Sequence, residues 1–227
     1  MDSTTSKLVL YNPRWFRNDN LDFLQAEIRK ISFGTLVTTS EAHGILASHI
    51  PIMLDAARGE RGTLFGHIAR GNSQWRETKP GSGALVVFLG PDAYITPRWY
   101  HTKKQDGKVV PTWNYVAIHA RGPITFFEDA AHLKQAVRKL TDHHESTAED
   151  PWKVDDAPVD YLEAQLKAIV GFEVPIMNIE GKWKMSQNRP DADRSGVISG
   201  LGERDLAGDR EVAEAMRART DNPENRG

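Results

Sequence analysis

The chain has 227 residues, 39% of them hydrophobic, which is enough for one substantial core and favours a single large domain. Its 29 basic and 31 acidic residues give a formal net charge of −2, which excludes a general electrostatic attraction to nucleic acid or to an anionic membrane. The absence of cysteine excludes disulfides and thiolate metal sites, and no apolar run suits a signal peptide or a membrane span, so we expect a soluble cytoplasmic protein.

The first predicted element is an amphipathic helix. Its apolar positions recur at helical spacing: Leu21, Leu24, Ile28 and Ile31. Residues 18–20 offer candidate N-caps, and Gly34 is the predicted stop. Two β-branched runs follow at 34–40 and 45–54, and the glycine-containing turn between them predicts a hairpin.

The middle of the chain predicts short strands separated by turns. Residues 63–69 form the first of these strands, and a capping pair at 72–73 begins a brief helix that ends at Pro80. Residues 84–90 predict the next strand. The polar stretch 103–108 then predicts a surface loop between strand-like pieces.

A long strand is predicted over residues 113–127, with a bend at Gly122 and Pro123 that would help to close a barrel. Two amphipathic helices are predicted next. The apolar positions of the first are Leu133, Ala136, Val137 and Leu140, and those of the second are Tyr161, Leu162, Leu166 and Ile169. Strand character returns between the third helix and residue 187. A final charged helix over residues 203–218 has few apolar positions to bury.

These elements favour a mainly β fold. About six or seven strands, with helices at the start and in the middle, fit a closed or partly closed antiparallel β-barrel with flanking helices better than an alternating βαβ array. We predict that the barrel domain covers residues 1–202 and that residues 203–227 are a helical tail, mobile or docked on a partner.

Three segments, at 48–51, 66–75 and 181–189, place polar side chains among aromatic ones. Arg70 follows a strand end and precedes a helix start, so its guanidinium would lie near free backbone N–H groups that suit a phosphate. Hydroxyl and imidazole groups on neighbouring strands could add hydrogen bonds. The alternative is that Arg70 is an ordinary solvated surface charge.

Five aromatic residues could form a wall against a planar ring: Tyr94, Trp99, Tyr100, Trp113 and Trp183. The alternative is ordinary core packing, which we favour for Trp183 and Tyr94 and leave open for Trp113.

Two other polar clusters are interpreted as structural. Adjacent His143 and His144 would point about 100° apart on a helix, which does not suit chelation of one ion, so no metal is expected. Asp191, Asp193 and Arg194 predict a turn with its salt bridges rather than a catalytic acid pair.

The segments YNPRWF, GHIARGNSQW, YITPRWY, VPTWNY and GKWKMSQNR resemble, in this order, the signature blocks of the PaiB-like proteins. The resemblance spans residues 10–201. Members of that family are described as FMN-binding negative transcriptional regulators, with a split barrel like that of pyridoxamine-phosphate oxidases and flavin reductases. The resemblance therefore implies an FMN-binding split barrel and a homodimer with FMN in a cleft between subunits.

The resemblance also implies the residues that contact FMN. The phosphate contacts would be Ser48, His49, His67, Arg70 and Asn72; the ring-edge and late-strand contacts would be Trp113, Asn114, Lys184, Gln187, Asn188 and Arg189. The chain departs from the oxidase pattern because it lacks the Arg and Lys pair that doubles the positive charge at the phosphate. We therefore expect weaker phosphate binding here.

Three functions are compatible with these residues. The first is a regulator whose flavin alters gene expression, although no helix-turn-helix is visible and a direct DNA contact would need a local basic patch. The second is a flavin-dependent oxidoreductase acting on a small molecule, with Tyr100, His101 and His49 as the available acid–base groups. The third, ranked last, is a haem-binding split barrel with an axial ligand such as His119 or His49.

Overall fold

A computed structural model describes residues 10–221, with side chains described to residue 218. The described residues are mainly β. The strands are β1 (Arg17–Asn18), β2 (Phe33–Ser40), β3 (Gly44–Asp55), β4 (Thr63–Ala69), β5 (Gly83–Ile95), β6 (Thr112–Pro123), β7 (Thr125–Phe127), β8 (Ile169–Pro175) and β9 (Asn178–Lys184). The helices are α1 (Leu21–Ile31), α2 (Gln74–Glu77), α3 (Ala130–Glu145), α4 (Val159–Lys167), α5 (Asp191–Arg204) and α6 (Asp209–Asp221). Within residues 10–221, no helix is long and apolar enough to cross a membrane.

The chain divides into two compact units. The described part of unit 1 comprises residues 10–19, 89–118 and 180–221, and unit 2 comprises Asn20–Phe88 and His119–Ile179. In unit 1 the strand order is β1-β9-β6-β5, and in unit 2 it is β5-β2-β3-β4-β8-β7. The neighbours β1–β9, β2–β3, β2–β5, β3–β4, β4–β8 and β7–β8 all pair antiparallel.

Helix α1 begins where the sequence predicts it, because the Asn20 side chain accepts a hydrogen bond from the backbone N–H of Phe23. It ends earlier than predicted. Ser32 takes the left-handed conformation at φ 49° and closes the last turn, whereas Gly34, the predicted stop, lies inside β2. A Cβ on Gly34 would lie only 3.1 Å from Phe88, so this glycine permits close packing within the sheet rather than ending the helix.

The predicted hairpin is confirmed as β2 and β3, with Leu36 opposite Ser48. Strand β3 has two parts. Residues 52–55 pair with β4, while residues 44–51, which we call the outer segment of β3, pair with β2. Every side chain of the outer segment is half-buried or exposed, and Ile45 is 76% exposed.

The long strand predicted over 113–127 is two strands, β6 and β7, separated at Ile124. Ile124 leaves the ladder because its N–H donates to the carbonyl of Ser82 and its carbonyl accepts from the N–H of Gly81. A Cβ on Gly122 would lie 1.9 Å from the carbonyl oxygen of Pro175, so glycine is required there by a close backbone approach. Ile169 also differs from its prediction, because α4 ends at Lys167 and Ile169 begins β8.

The C-terminal part of unit 1 has more helix and more burial than predicted. Asp191, Asp193 and Arg194 begin helix α5 instead of forming a turn, although the predicted salt bridge between Asp191 and Arg194 is present at 3.2 Å. The expectation that the last helix has little to bury is wrong: α6 buries Val212, Ala213 and Met216. The tail boundary at residue 203, which stays a prediction, falls in the last turn of α5.

Candidate functional site

The strongest polar cluster in unit 2 joins β3 to the start of α2. The Ser48 hydroxyl donates to Oε1 of Gln74 at 2.6 Å, and Nδ2 of Asn72 donates to the Ser48 oxygen at 2.8 Å. Oδ1 of Asn72 accepts from the backbone N–H of Gln74 at 3.0 Å, which fixes the start of the helix. Ser48 and Asn72, predicted separately from two segments, therefore lie together; with Gln74 they form what we call the Ser48 cluster.

Gln74 is a site residue that the sequence prediction missed. Its side chain is 2% exposed, and its Nε2 donates to the hydroxyl of Thr38 at 3.0 Å and to the carbonyl of Leu36 at 3.3 Å. Because every polar atom of this amide is used, Gln74 holds the Ser48 hydroxyl in one position. The sequence signal for Gln74 was its place directly after a helix-capping pair, but its burial depends on β2.

The two histidines predicted for unit 2 differ in their surroundings. His49 is exposed, and its Nδ1 lies 2.9 Å from the hydroxyl of Thr35 on the paired strand. His67 is half-buried on β4, and burial lowers its pKa below the usual value. At neutral pH the His67 imidazole is therefore uncharged and can donate one hydrogen bond.

Arg70 follows β4 and is held by groups outside the Ser48 cluster. Its Nε donates to the carbonyl of Lys167 at 2.6 Å, its Nη2 to the carbonyl of Ile169 at 3.3 Å, and its Nη1 pairs with the carboxylate of Glu128. Arg70 therefore braces the junction of α4 and β8. The solvated-charge alternative accounts for none of these backbone contacts.

The described donor groups of unit 2 fit a phosphate ester. The amide of Asn72 and the imidazole of His67 are neutral donors, whereas the Ser48 hydroxyl gives its single hydrogen to Gln74 and donates to an anion only by turning away from it. The backbone between Arg70 and Asn72 is open, because apart from these two neighbours no described residue has an atom within 4 Å of the position that a Cβ on Gly71 would occupy. These donors therefore suit an anion that is held mainly by hydrogen bonds from neutral groups. Arg70, two residues before Asn72, is the nearest cation along the chain.

In unit 1 the predicted residues Asn114 and Lys184 have defined contacts. Asn114 is fully buried; its Oδ1 accepts from the Ser186 hydroxyl at 3.1 Å and its Nδ2 donates to the sulfur of Met216 at 3.5 Å. Nζ of Lys184 donates to the carbonyl of Trp113, and burial lowers the pKa of this lysine, with a smaller contribution from the charge of Lys182. Asn114 and Lys184 thus fix the beginning of β6.

The turn after β9 contains the remaining predicted contacts. Ser186 takes a left-handed conformation at φ 60°, and the Gln187 side chain accepts from the N–H of Met185 at 2.6 Å, so this turn closes on itself. Asn188 is exposed. The guanidinium of Arg189 lies 4.6 Å from the centroid of the Tyr100 ring.

The predicted aromatic wall has both buried and exposed members. Trp183 and Tyr100 are buried. The prediction that Trp183 packs in the core is therefore confirmed. Tyr94 is 40% exposed and Trp113 is 53% exposed, so the prediction that Tyr94 is a core residue is wrong. The rings of Tyr94 and Trp113 pack edge to face, with their centroids 6.0 Å apart. This exposed pair is the part of the wall that a ligand could contact.

The chain is similar in sequence to a family of FMN-binding domains and to proteins of bacteria and fungi. Residues 10–178 match a family described as "Putative FMN-binding domain". The chain is 33% identical over 207 residues to the "Protease synthase and sporulation protein PAI 2" of Bacillus subtilis, covering 91% of this chain and 96% of that protein. It is also 36% identical over 215 residues to an uncharacterised protein of Emericella nidulans, covering 80% of this chain and 86% of the relative.

A solved structure confirms the fold class. The FAD and heme binding protein of Mycobacterium smegmatis superposes with a TM-score of 0.54 at 16% identity, covering 81% of this chain and 80% of that chain. At this identity the likeness shows the fold alone, and it confirms the split-barrel prediction.

Proposed function

Because the chain belongs to the PaiB-like family of FMN-binding split-barrel proteins, with FMN as its cofactor, we propose that it is a cytoplasmic homodimer that represses transcription. The observation that carries the proposal is the match to the Bacillus protein along 91% of this chain, since that relative is named for protease synthesis and sporulation. FMN supplies one- and two-electron redox chemistry when it is bound. A redox-sensitive ligand would give such a regulator its input.

The Ser48 cluster is the proposed place for the FMN phosphate. Asn72, through its second amide N–H, and His67 would donate hydrogen bonds to phosphate oxygens, and His49 would add a donor from the exposed side of β3. The Ser48 hydroxyl would donate to the phosphate after turning its single hydrogen away from Gln74. The contacts that the family resemblance implies in unit 1, with Trp113 first among them, stay a proposal for the ring and ribityl chain.

The outer segment of β3 is the proposed surface for the second subunit. Neither face of this segment is fully covered, although it contains Ile45, Leu46, Ala47 and Ile50. An apolar strand that is open on both faces is unusual in a protein that functions as a monomer. A second copy would bury Ile45 and would bring the edge of the Ser48 cluster against a neighbour.

Replacing Arg70 by alanine is expected to weaken FMN binding about 10- to 100-fold, because one charge-assisted hydrogen bond contributes about 1.5–3 kcal/mol. Titration of apoprotein with FMN, followed by flavin fluorescence, measures the change. The matched control is Arg76→Ala, since among the described residues the exposed guanidinium of Arg76 has two partners, the carbonyl of Arg70 at 3.3 Å and the ring of Trp75.

Glu128→Gln separates a direct role of Arg70 from a bracing role. If Arg70 reaches the phosphate, removing its acidic partner leaves FMN affinity unchanged or raises it. Loss of affinity in Glu128→Gln as large as that in Arg70→Ala would show that Arg70 acts only by bracing the junction of α4 and β8. Unchanged flavin content in Arg70→Ala would remove Arg70 from the site altogether.

The regulatory role is tested by transcript measurement in the native host. Cells that lack the gene should show a defined set of transcripts raised several-fold, and wild-type protein should restore them where a Ser48→Ala, Asn72→Ala variant does not. An unchanged transcript profile would refute the proposal. Oxidation of a reduced nicotinamide cofactor with multiple turnovers, together with an unchanged profile, would favour the oxidoreductase alternative.

A further inference from the structure

Residues 98–108, which we call the basic loop, concentrate positive charge in unit 1. The loop contains Arg98, Lys103, Lys104 and Lys108 against one acid, Asp106, so its formal charge is +3 although the whole chain carries −2. All four cations are exposed. The rest of the chain therefore has a formal charge of −5, and the basic loop is a local exception of opposite sign.

The charges of the basic loop are not neutralised within the described part of the chain. None of its four cations forms an ion pair among residues 10–221. Asp106 instead uses Oδ1 to accept the backbone N–H of Lys108 at 2.9 Å. Some basic residues elsewhere are paired instead: Arg58 pairs with Glu173 at 2.7 Å and Lys139 with Asp55 at 3.1 Å.

The basic loop is held in place by a buried anchor. Asp193 is fully buried, and its carboxylate accepts from the backbone N–H of Thr102 at 2.9 Å and from its hydroxyl at 2.8 Å. The loop also begins on a cap, since the Thr96 hydroxyl oxygen accepts from the N–H of Arg98 at 3.3 Å. A loop anchored in this way loses less conformational entropy when it binds a partner.

We propose that the basic loop binds the phosphate backbone of duplex DNA, an inference that rests on the proposed regulatory function. Lysine presents a flexible point charge that suits phosphates, and contacts to phosphates carry no sequence information, so the loop would supply affinity and positioning rather than promoter choice. The exposed side chains of residues 101–108 are all polar, and the nearest strongly exposed apolar side chain along the chain is that of Val110, which is 66% exposed. Because these side chains offer charge and hydrogen bonds but no apolar contact, they match a phosphate backbone better than the apolar core of a protein interface, and the vesicle measurement below tests the membrane alternative.

The experiment uses the full-length FMN-bound protein and a fluorescein-labelled 30-base-pair duplex, with binding followed by anisotropy from 50 to 200 mM salt. The test variant is Lys103→Gln, Lys104→Gln, Lys108→Gln. The control is Arg29→Gln, Lys30→Gln, Lys79→Gln, which removes the same charge from exposed residues that form no ion pair within the described part of the chain. Flavin absorbance and the thermal midpoint confirm that both variants are folded.

The salt dependence of binding gives the expected result. Each lost phosphate contact lowers the slope of log affinity against log salt by about 0.9, so the test variant should lose between about 2 and 3 in slope and at least tenfold in affinity. The control should bind within about twofold of wild type. Equal losses in both variants, or an unchanged slope in the test variant, would overturn the inference.

Two further outcomes distinguish this inference from the regulatory proposal. If the wild-type protein binds no DNA but transcripts still change in cells without the gene, the basic loop inference is wrong and regulation is indirect. If the loop binds DNA as expected but no transcript changes, the regulatory proposal is wrong. Binding to phosphatidylserine vesicles without binding to DNA would assign the loop to a membrane and would also overturn the inference.

Discussion

Gly200→Ala is expected to lower the free energy of unfolding by about 1–3 kcal/mol, the usual range for an overpacked contact. A Cβ at this position would lie 2.2 Å from Cε2 of Trp99, and one at Gly196 would lie 2.1 Å from the Trp99 carbonyl oxygen. Trp99 therefore packs directly against the backbone of helix α5, because Gly196 and Gly200 have no side chains that would keep it away. Urea denaturation, monitored by tryptophan fluorescence, measures the loss.

The matched control lies two residues further along the same helix. Gly202 has no atom within 4 Å of the position its Cβ would take, so Gly202→Ala should gain up to about 1 kcal/mol from helix propensity alone. Opposite signs for the two alanine variants are the expected result. Equal stability of Gly200→Ala and Gly202→Ala would show that Trp99 can move away from α5.

Ile45→Glu is expected to convert the proposed homodimer to monomers, with a rise of at least about 100-fold in the dissociation constant. In a two-fold interface each substitution occurs twice, and an unpaired carboxylate that loses its water costs several kcal/mol. Because Ile45 is 76% exposed in the single chain, the substitution should leave monomer stability nearly unchanged. Sedimentation equilibrium at micromolar protein concentration measures the change.

Val159→Glu is the control for the dimer. Val159 begins α4 and is 70% exposed, but it lies outside the outer segment of β3. This variant should remain dimeric. A wild-type protein that is monomeric and still carries flavin would contradict the proposed interface, as would a dimer that tolerates glutamate at position 45.

Elements that depend on neighbouring residues were predicted well. Strand β4 occupies the predicted residues 63–69, and α1 begins at a cap that its own sequence supplies. Hydrophobic periodicity and capping are local signals, so one sequence is enough to read them. Helix α5 was missed although it buries Val197 and Leu201, because its other packing positions, Gly196 and Gly200, have no side chain that would complete the apolar periodicity.

The candidate site shows the same division between local and distant information. The composition of the segments containing Ser48 and Asn72 predicts polar groups for a site, and the fold brings these two side chains into contact. The partners of Arg70 could not be predicted, because the carbonyls at 167 and 169 reach it through the pairing of β4 with β8, and Glu128 through the pairing of β7 with β8. The family resemblance gave the cofactor, which none of these local patterns could give.

The assembly of unit 1 from three separate chain segments has a consequence for biosynthesis. Strand β1 pairs Arg17 with Lys182 of β9, so an N-terminal strand has no partner until most of the protein has left the ribosome. The match to the FMN-binding family ends at residue 178, before Lys182, before α5 and before Met216, the partner of buried Asn114. A gene fragment trimmed to the family limits would therefore leave β1 and Asn114 without their partners, and such a fragment is a poor choice for expression.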